Sequence, residues 1–188
     1  MAAVDLGGTH LRVAVFDADG GELFRHRIDT PADRPESLVG LIQHAVASVT
    51  AEVTSTVVAI PGPLSYQEGR PFILPNLPGW APHISNALLT EALGFTAVIV
   101  HDTDLGVLGE HAFGTGRGVD DLVCITVSTG VGAGVVLGGR SAPRAARARH
   151  DRDHLIVLNE RHLLARAVRR RSRGSTPDDT RLHRRQMY

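Results

Sequence analysis

Asp5-Leu6-Gly7-Gly8-Thr9 separates two apolar runs, Ala2-Ala3-Val4 before it and Leu11-Arg12-Val13-Ala14-Val15-Phe16 after it. The pattern reads as strand, sharp turn, strand, because adjacent glycines accept backbone dihedrals closed to other residues. Backbone N–H groups in such a turn, together with the Thr9 hydroxyl, can face a phosphate. Asp5 at the strand end can hold a metal ion, directly or through water. An ordinary two-glycine hairpin is the plainer alternative, and this short stretch alone does not decide between them.

A second stretch of the same kind is Ser128-Thr129-Gly130-Val131-Gly132-Ala133-Gly134, again set between apolar runs. Its glycines, Gly130, Gly132 and Gly134, permit close backbone approach to a ligand. Between the two lies His101-Asp102-Thr103-Asp104, at the end of the strand-like Ala97-Val98-Ile99-Val100. Asp102 starts a helical pattern, where a carboxylate caps free N–H groups and can also act as a general base toward an attacking hydroxyl. Phosphoryl transfer depends mainly on positioning and charge neutralisation, so two anion-holding turns and one strand-end carboxylate suffice in principle.

Working outward, Glu22–Ile28 alternates with period two and reads as a third strand. Leu38, Leu41, Ile42, Ala45 and Val49 recur at helical spacing, which predicts a helix from Pro35 to Ala51. Thr56–Ile60 is a β-branched strand stopped by Pro61-Gly62-Pro63. A loop or short hairpin follows and contains Asn76-Leu77-Pro78-Gly79-Trp80. Asn76 offers both a donor and an acceptor, a match for sugar hydroxyls, while Trp80 either packs at the site or anchors the loop. Residues 84–93 read as a helix with Gly94 as its stop, Thr103–Phe113 as another, and Leu122–Val127 and Val131–Leu137 as strands. Strands and helices mix as in an α/β fold, and no internal sequence repeat is evident.

The chain has 188 residues and no net charge, but its charges are divided. Residues 1–140 hold 7 Arg against 15 Asp or Glu, a net of −8, whereas residues 141–188 hold 13 Arg against 5, a net of +8. Of the 20 glycines only Gly174 falls in the second part, so the chain divides near Arg140 into 1–140 and an Arg-rich tail, 141–188. A weakly ordered tail is expected, with a poorly patterned helical stretch at Asp153–Arg171. His150, His154 and His162 lie there without any cysteine, so no metal site is expected. Specific nucleic-acid binding is not expected either, because the basic run lacks interleaved aromatics. The single Cys124 sits in an apolar run and reads as a buried core residue. No apolar run approaches the ~18 residues of a membrane helix and no signal segment is visible, so the expected location is the cytoplasm.

Taken together, these segments resemble the N-terminal half of the ROK family of bacterial sugar kinases and sugar-responsive repressors, which includes glucokinases and N-acetylhexosamine kinases. The resemblance covers about Ala2 to Arg140. It is carried by Asp5–Thr9, Ile60-Pro61-Gly62-Pro63-Leu64, Asn76–Trp80, His101–Glu110, Phe113–Gly118 and Ser128–Gly134. The resemblance implies an actin-like, ribonuclease-H-like α/β lobe with a mixed sheet. It implies ATP and a hexose as substrates, with Asp102 as the base. It places Gly62, Asn76, His101 and Asp102 at the sugar, and Asp5, Gly7, Gly8, Thr9, Ser128, Thr129, Gly130 and Gly132 at the ATP phosphates. Mg²⁺ would be shared between ATP and Asp5.

The chain departs from the family pattern at His101 and Asp104, where the family usually has Asn, and after Arg140. The family's second lobe carries further sugar and adenosine contacts and a Cys-rich zinc site that this sequence lacks, so zinc is not expected. These departures predict a truncated or frame-shifted chain with weak or absent turnover. The alternatives are a non-catalytic sugar-binding or regulatory protein, a repressor being disfavoured because the chain starts at the first phosphate motif, and an inactive remnant whose exposed apolar surface leads to aggregation or a homodimer.

Overall fold

The computed structural model describes residues 1–127 and 131–141. All of these belong to one compact unit, Met1–Ala146. Ser128, Thr129 and Gly130 lie outside the described residues. So does the tail after Ser141, including the expected helix at Asp153–Arg171 and the histidines at 150, 154 and 162.

Strand β1 (Ala2–Leu6) pairs antiparallel with β2 (His10–Phe16), and β2 with β3 (Glu22–Asp29), through the turns read from the sequence. Helix α1 (Ser37–Ala47) is shorter than the expected span of 35 to 51. The Ser48 hydroxyl donates to the His44 carbonyl at 2.8 Å, and the Val49 N–H bonds only three residues back, to Val46. The chain thus leaves α-geometry as a tight turn. Pro35 lies in the lead-in, its carbonyl accepting from Leu38 N–H.

β4 (Ser55–Ile60) then runs parallel to β1 on its other side, and β7 (Thr96–His101) parallel to β4. Between them lie a two-residue ribbon, β5 (Leu64–Ser65) with β6 (Arg70–Pro71), a 3-10 turn at Ala81–His83, and α2 (Asn86–Leu93). Gly94 ends α2 in the left-handed conformation, φ 76°, as its position after the last apolar residue requires. The sheet order is β3-β2-β1-β4-β7.

One face of this sheet is the core. Ala2, Val4, Leu6, Leu11, Val13, Val15, Val58 and Ile60 point the same way by strand alternation and pack with Leu38, Leu41 and Ile42 of α1 and Leu89 of α2. The other face carries Ala3, Ala14 and Ala59 beside Arg12, Arg25 and Arg27, and forms an open groove of about 580 Å³. β7 is an edge strand, yet its outward N–H groups are all used: Ala97 donates to Thr90 Oγ1, Ile99 to Asn86 Oδ1 and His101 to the Tyr66 hydroxyl. Side chains stand where a further strand would otherwise pair.

Helix α3 (Asp102–Ala112) leaves β7 directly and lies on a second sheet, order β10-β9-β8, made of β8 (Leu122–Val127), β9 (Val131–Leu137) and β10 (Arg140–Ser141). That sheet repeats the antiparallel meander of β1-β2-β3, a repetition of topology that sequence comparison did not reveal because packing constrains direction and spacing, not identity. Its face toward α3 holds Leu122, Cys124, Gly132, Gly134 and Val136. The other face, with Val123, Ile125, Val127 and Val131, is exposed. Cys124 is therefore half-buried instead of a core residue, since only one side of β8 is covered. Burial, and secondarily the charge of Glu110, push its thiol pKa up from the ordinary value. No helix among the described residues is long and apolar enough to cross a membrane.

Candidate active site

The three parallel strands β1, β4 and β7 end on the same edge of the sheet. Asp5 is in register with Ala59, Ala59 with Val100, and Ile60 with His101. With strands about 4.8 Å apart, the residues just beyond them, Gly7, Pro61 and Asp102, follow one another across roughly 10 Å. This carboxyl edge is where open α/β sheets bind ligands. Topology thus brings together segments that the sequence separates by nearly a hundred positions.

At the first turn, Gly7 N–H donates to the His10 carbonyl at 2.9 Å. Thr30 clamps it from outside: its hydroxyl donates to the Gly7 carbonyl at 2.7 Å and its N–H to the Thr9 carbonyl at 2.9 Å. Neither Gly7 nor Gly8 has a positive φ, so the expected reason for the glycines needs correcting. They are required for space. A Cβ on Gly7 would stand 2.9 Å from the His10 carbonyl oxygen, and one on Gly8 2.7 Å from Cβ of Asn76. The second contact places Asn76 directly against the turn. Thr9 and Asn76 are both exposed beside it. Arg12 Nη1 donates to Asp5 Oδ2 at 2.6 Å across the β1–β2 pair, leaving Oδ1 without a hydrogen bond among the described residues.

Gly62 does need its left-handed backbone, φ 93°, and a Cβ there would meet the Ile73 carbonyl at 2.8 Å. The turn after β4 is thereby pressed onto the segment leading to Asn76. That segment is held from below by Leu74, Leu77 and Trp80, all buried. Trp80 Nε1 donates to the Ala32 carbonyl at 2.7 Å, which decides its role: it anchors the loop and lines no site.

At the end of β7, Asp102 is 44% exposed and is flanked by buried polar neighbours, His101 at 7%, Thr103 at 5% and Asp104 at 3%. The helix N-cap is His101, with no side-chain cap bond, and Asp102 is the first helical residue. Its Oδ1 accepts the Thr103 N–H at 2.7 Å and lies 3.2 Å from His101 Nδ1. Oδ2 carries no hydrogen bond among the described residues. The carboxylate therefore satisfies one orphan helix donor and still presents an oxygen to solvent, so the capping and base readings coexist. His101 Nδ1 lies 2.6 Å from Thr103 Oγ1, whose hydroxyl donates to the Ala133 carbonyl of β9 at 3.2 Å. With that hydroxyl committed, the proton of the His101–Thr103 bond sits on Nδ1. The Tyr66 hydroxyl donates to Asp104 Oδ2 at 2.7 Å and accepts the His101 N–H at 3.2 Å. Tyr66 and Thr103 were not candidates in the sequence; nothing in a loop pattern places a tyrosine hydroxyl beside a helix start.

In the second glycine run, Gly132 and Gly134 pack against α3. A Cβ on Gly132 would sit 2.5 Å from Thr103 Cγ2, and one on Gly134 would collide with the Thr103 carbonyl oxygen and lie 2.7 Å from Val107 Cγ1. These two glycines let α3 approach β9. Side chains alternate along a strand, and this face of β9 is the one under the helix. Ser128, Thr129 and Gly130, the tip of the run, lie outside the described residues. No group of three or more His, Cys, Asp or Glu among the described residues is arranged to hold a metal ion.

The sequence model of the ROK family matches residues 1–143. The chain belongs to the ROK family. It is 31% identical over 139 residues to a glucokinase of Streptomyces coelicolor, a match that covers 73% of this chain and 43% of the relative. Among solved structures it resembles a ROK family glucokinase from Streptomyces griseus in complex with glucose and AMPPNP, with a TM-score of 0.66 at 28% identity, over 76% of this chain and 46% of that one. It also resembles a ROK family transcriptional regulator, a homologue of the Escherichia coli MLC protein, with a TM-score of 0.67 at 26% identity, over 76% and 37% of the two chains. This ROK chain thus spans about half the length of the curated relatives it matches, and its lobe has the actin-like α/β architecture of ROK sugar kinases.

Proposed function

We propose that this ROK chain carries the phosphate- and sugar-facing elements of an ATP-dependent hexose kinase of the glucokinase type. The reading rests on the convergence at one sheet edge of the Gly7–Thr9 turn, Gly62 and Asp102, with Asn76 packed against Gly8. A hexose lies against Asn76, Gly62 and His101 with one hydroxyl at Asp102 Oδ2. As the hydroxyl oxygen attacks the γ-phosphorus of ATP, its proton passes to the Asp102 carboxylate and ADP leaves. The N–H groups of Gly8 and Thr9 and the Thr9 hydroxyl hold the phosphates, together with Ser128, Thr129 and Gly130 from the second glycine run.

Mg²⁺ bound to ATP supplies charge neutralisation of the phosphate oxygens. Asp5 fits the role of its protein ligand, because Oδ1 is left open and such sites commonly use one or two carboxylates plus phosphate oxygens. Titration calorimetry of the chain with ATP–Mg²⁺ and a panel of hexoses, followed by a coupled assay for ADP, tests the proposal. Hexose binding and ADP formation support it; no heat with any hexose rejects it.

The likeness to a transcriptional regulator favours a second reading, a sugar-binding protein without turnover. Hexose binding that survives Asp102→Asn with no ADP formed by either protein would select it.

A further inference from the structure

We propose that Tyr66 is a positioning residue for the hexose side of this site, an inference that rests on the kinase reading above. The structure surrounds one exposed carboxylate, Asp102, with buried polar groups. Buried polar groups cost stability unless hydrogen-bonded, so their partners determine their geometry. Two of the bonds at this junction come from a single atom outside it. The Tyr66 hydroxyl, on the turn between β5 and β6, donates to Asp104 Oδ2 and accepts the main-chain N–H of His101. A hydroxyl has one proton to give and lone pairs to receive, so both bonds form at once.

The location of those partners gives the bonds their consequence. His101 is the last residue of β7 and Asp104 lies in the first turn of α3, with Asp102 between them. Elsewhere along the β7 edge, Ala97 and Ile99 are held by single side-chain acceptors on α2. At His101 the acceptor also grips the following helix. Tyr66 thus sets the angle at which the chain turns from strand to helix, and with it the direction of the Asp102 carboxylate and the His101 ring. Both are hexose-facing groups in the proposed mechanism. The nucleotide-facing turn at Gly7–Thr9 is held by Thr30 and His10. Both Tyr66 bonds flank Asp102, so the role predicts an effect on the hexose that a general loss of stability does not.

The test compares Tyr66→Phe with Ser65→Ala by calorimetry on the full chain, with glucose and ATP–Mg²⁺ titrated separately. Ser65→Ala removes the Ser65 hydroxyl that accepts the Glu68 N–H in the same ribbon and keeps the Tyr66 hydroxyl. The expected result is a glucose affinity weakened about fivefold to tenfold in Tyr66→Phe, with ATP–Mg²⁺ affinity within twofold, and both affinities within twofold in Ser65→Ala. Equal weakening of both ligands in Tyr66→Phe, or no weakening of glucose, overturns the positioning role while leaving the kinase reading intact. A wild-type chain that binds neither glucose nor any other hexose overturns the kinase reading and this role with it.

Discussion

The two sheets begin alike and are finished differently. β1-β2-β3 and β8-β9-β10 are both meanders whose first hairpin is rich in glycine. In the first sheet the glycines stand at the strand end, and the space they leave is filled by Asn76 and the His10 carbonyl. In the second, Gly132 and Gly134 lie within the strand and receive the start of α3. The first sheet also has its apolar face closed by α1 and α2, while the second leaves Val123, Ile125 and Val127 exposed. Similar glycine spacing therefore serves two physical purposes, close packing of a loop in one sheet and helix docking in the other. Asp102 sits at the seam, the last step out of the first sheet and the first residue of the helix that covers the second.

Substituting the seam residue has the largest expected effect. Asp102→Asn should lower hexose phosphorylation by roughly 10²- to 10⁴-fold, the usual weight of a general base. Its melting temperature should barely move, since the amide oxygen still accepts the Thr103 N–H. A coupled ADP assay alongside a thermal melt reads both, and unchanged turnover removes Asp102 from the chemistry.

Next comes the contrast between the glycines. Gly134→Val drives a side chain into the Thr103 carbonyl and Val107, so urea unfolding should show a loss of about 1–3 kcal/mol, as for overpacked interiors. An unaltered midpoint would mean that α3 is free to move and that Gly134 is there for another reason. Gly8→Ala should cost stability of about 1 kcal/mol and weaken hexose binding by displacing Asn76. If it weakens only nucleotide binding, the two loops are not coupled as described.

A smaller effect probes the closed face. Thr56 is buried on β4 with its hydroxyl unpaired among the described residues. Thr56→Val, which keeps the shape and removes the orphan group, should raise stability by about 1 kcal/mol. A loss in chemical denaturation would show that the hydroxyl has a partner.

The smallest effect concerns the half-covered strand. Burial and the Glu110 charge both raise the Cys124 pKa, so less thiolate is present at pH 8 than in a free thiol. Alkylation by iodoacetamide should be slower than that of a model thiol at that pH, and Glu110→Gln should speed it slightly. A rate above the model thiol's contradicts the described environment.

Much of the fold was legible from residue patterns. The alternation in Leu11–Phe16 and Glu22–Ile28, the helical spacing from Leu38 to Ala45, and Gly94 as a stop all reappear as elements, because each reflects a short-range rule of backbone geometry. Of the candidate site, Asp102 and the Gly7-Gly8 turn were readable from local motifs. Tyr66 and Thr103 were not, nor was the packing of Gly132 and Gly134 against α3. The bonds of Tyr66 and Thr103 reach 38 and 30 positions along the chain, and the two glycines pack against α3, a separate element.

By itself, then, the amino-acid order showed which segments form strands, turns and helices, most of the residues that turn apolar faces inward, and that the chain resembles ROK kinases. These follow from periodicity and backbone freedom, which act over a few residues. Only the tertiary structure decided that three parallel strands deliver Gly7, Gly62 and Asp102 to one edge, that Trp80 is an anchor, and that one glycine pair faces a loop while the other faces a helix. Strand order and helix docking are set by which buried surfaces fit together, and that information is distributed over the whole chain.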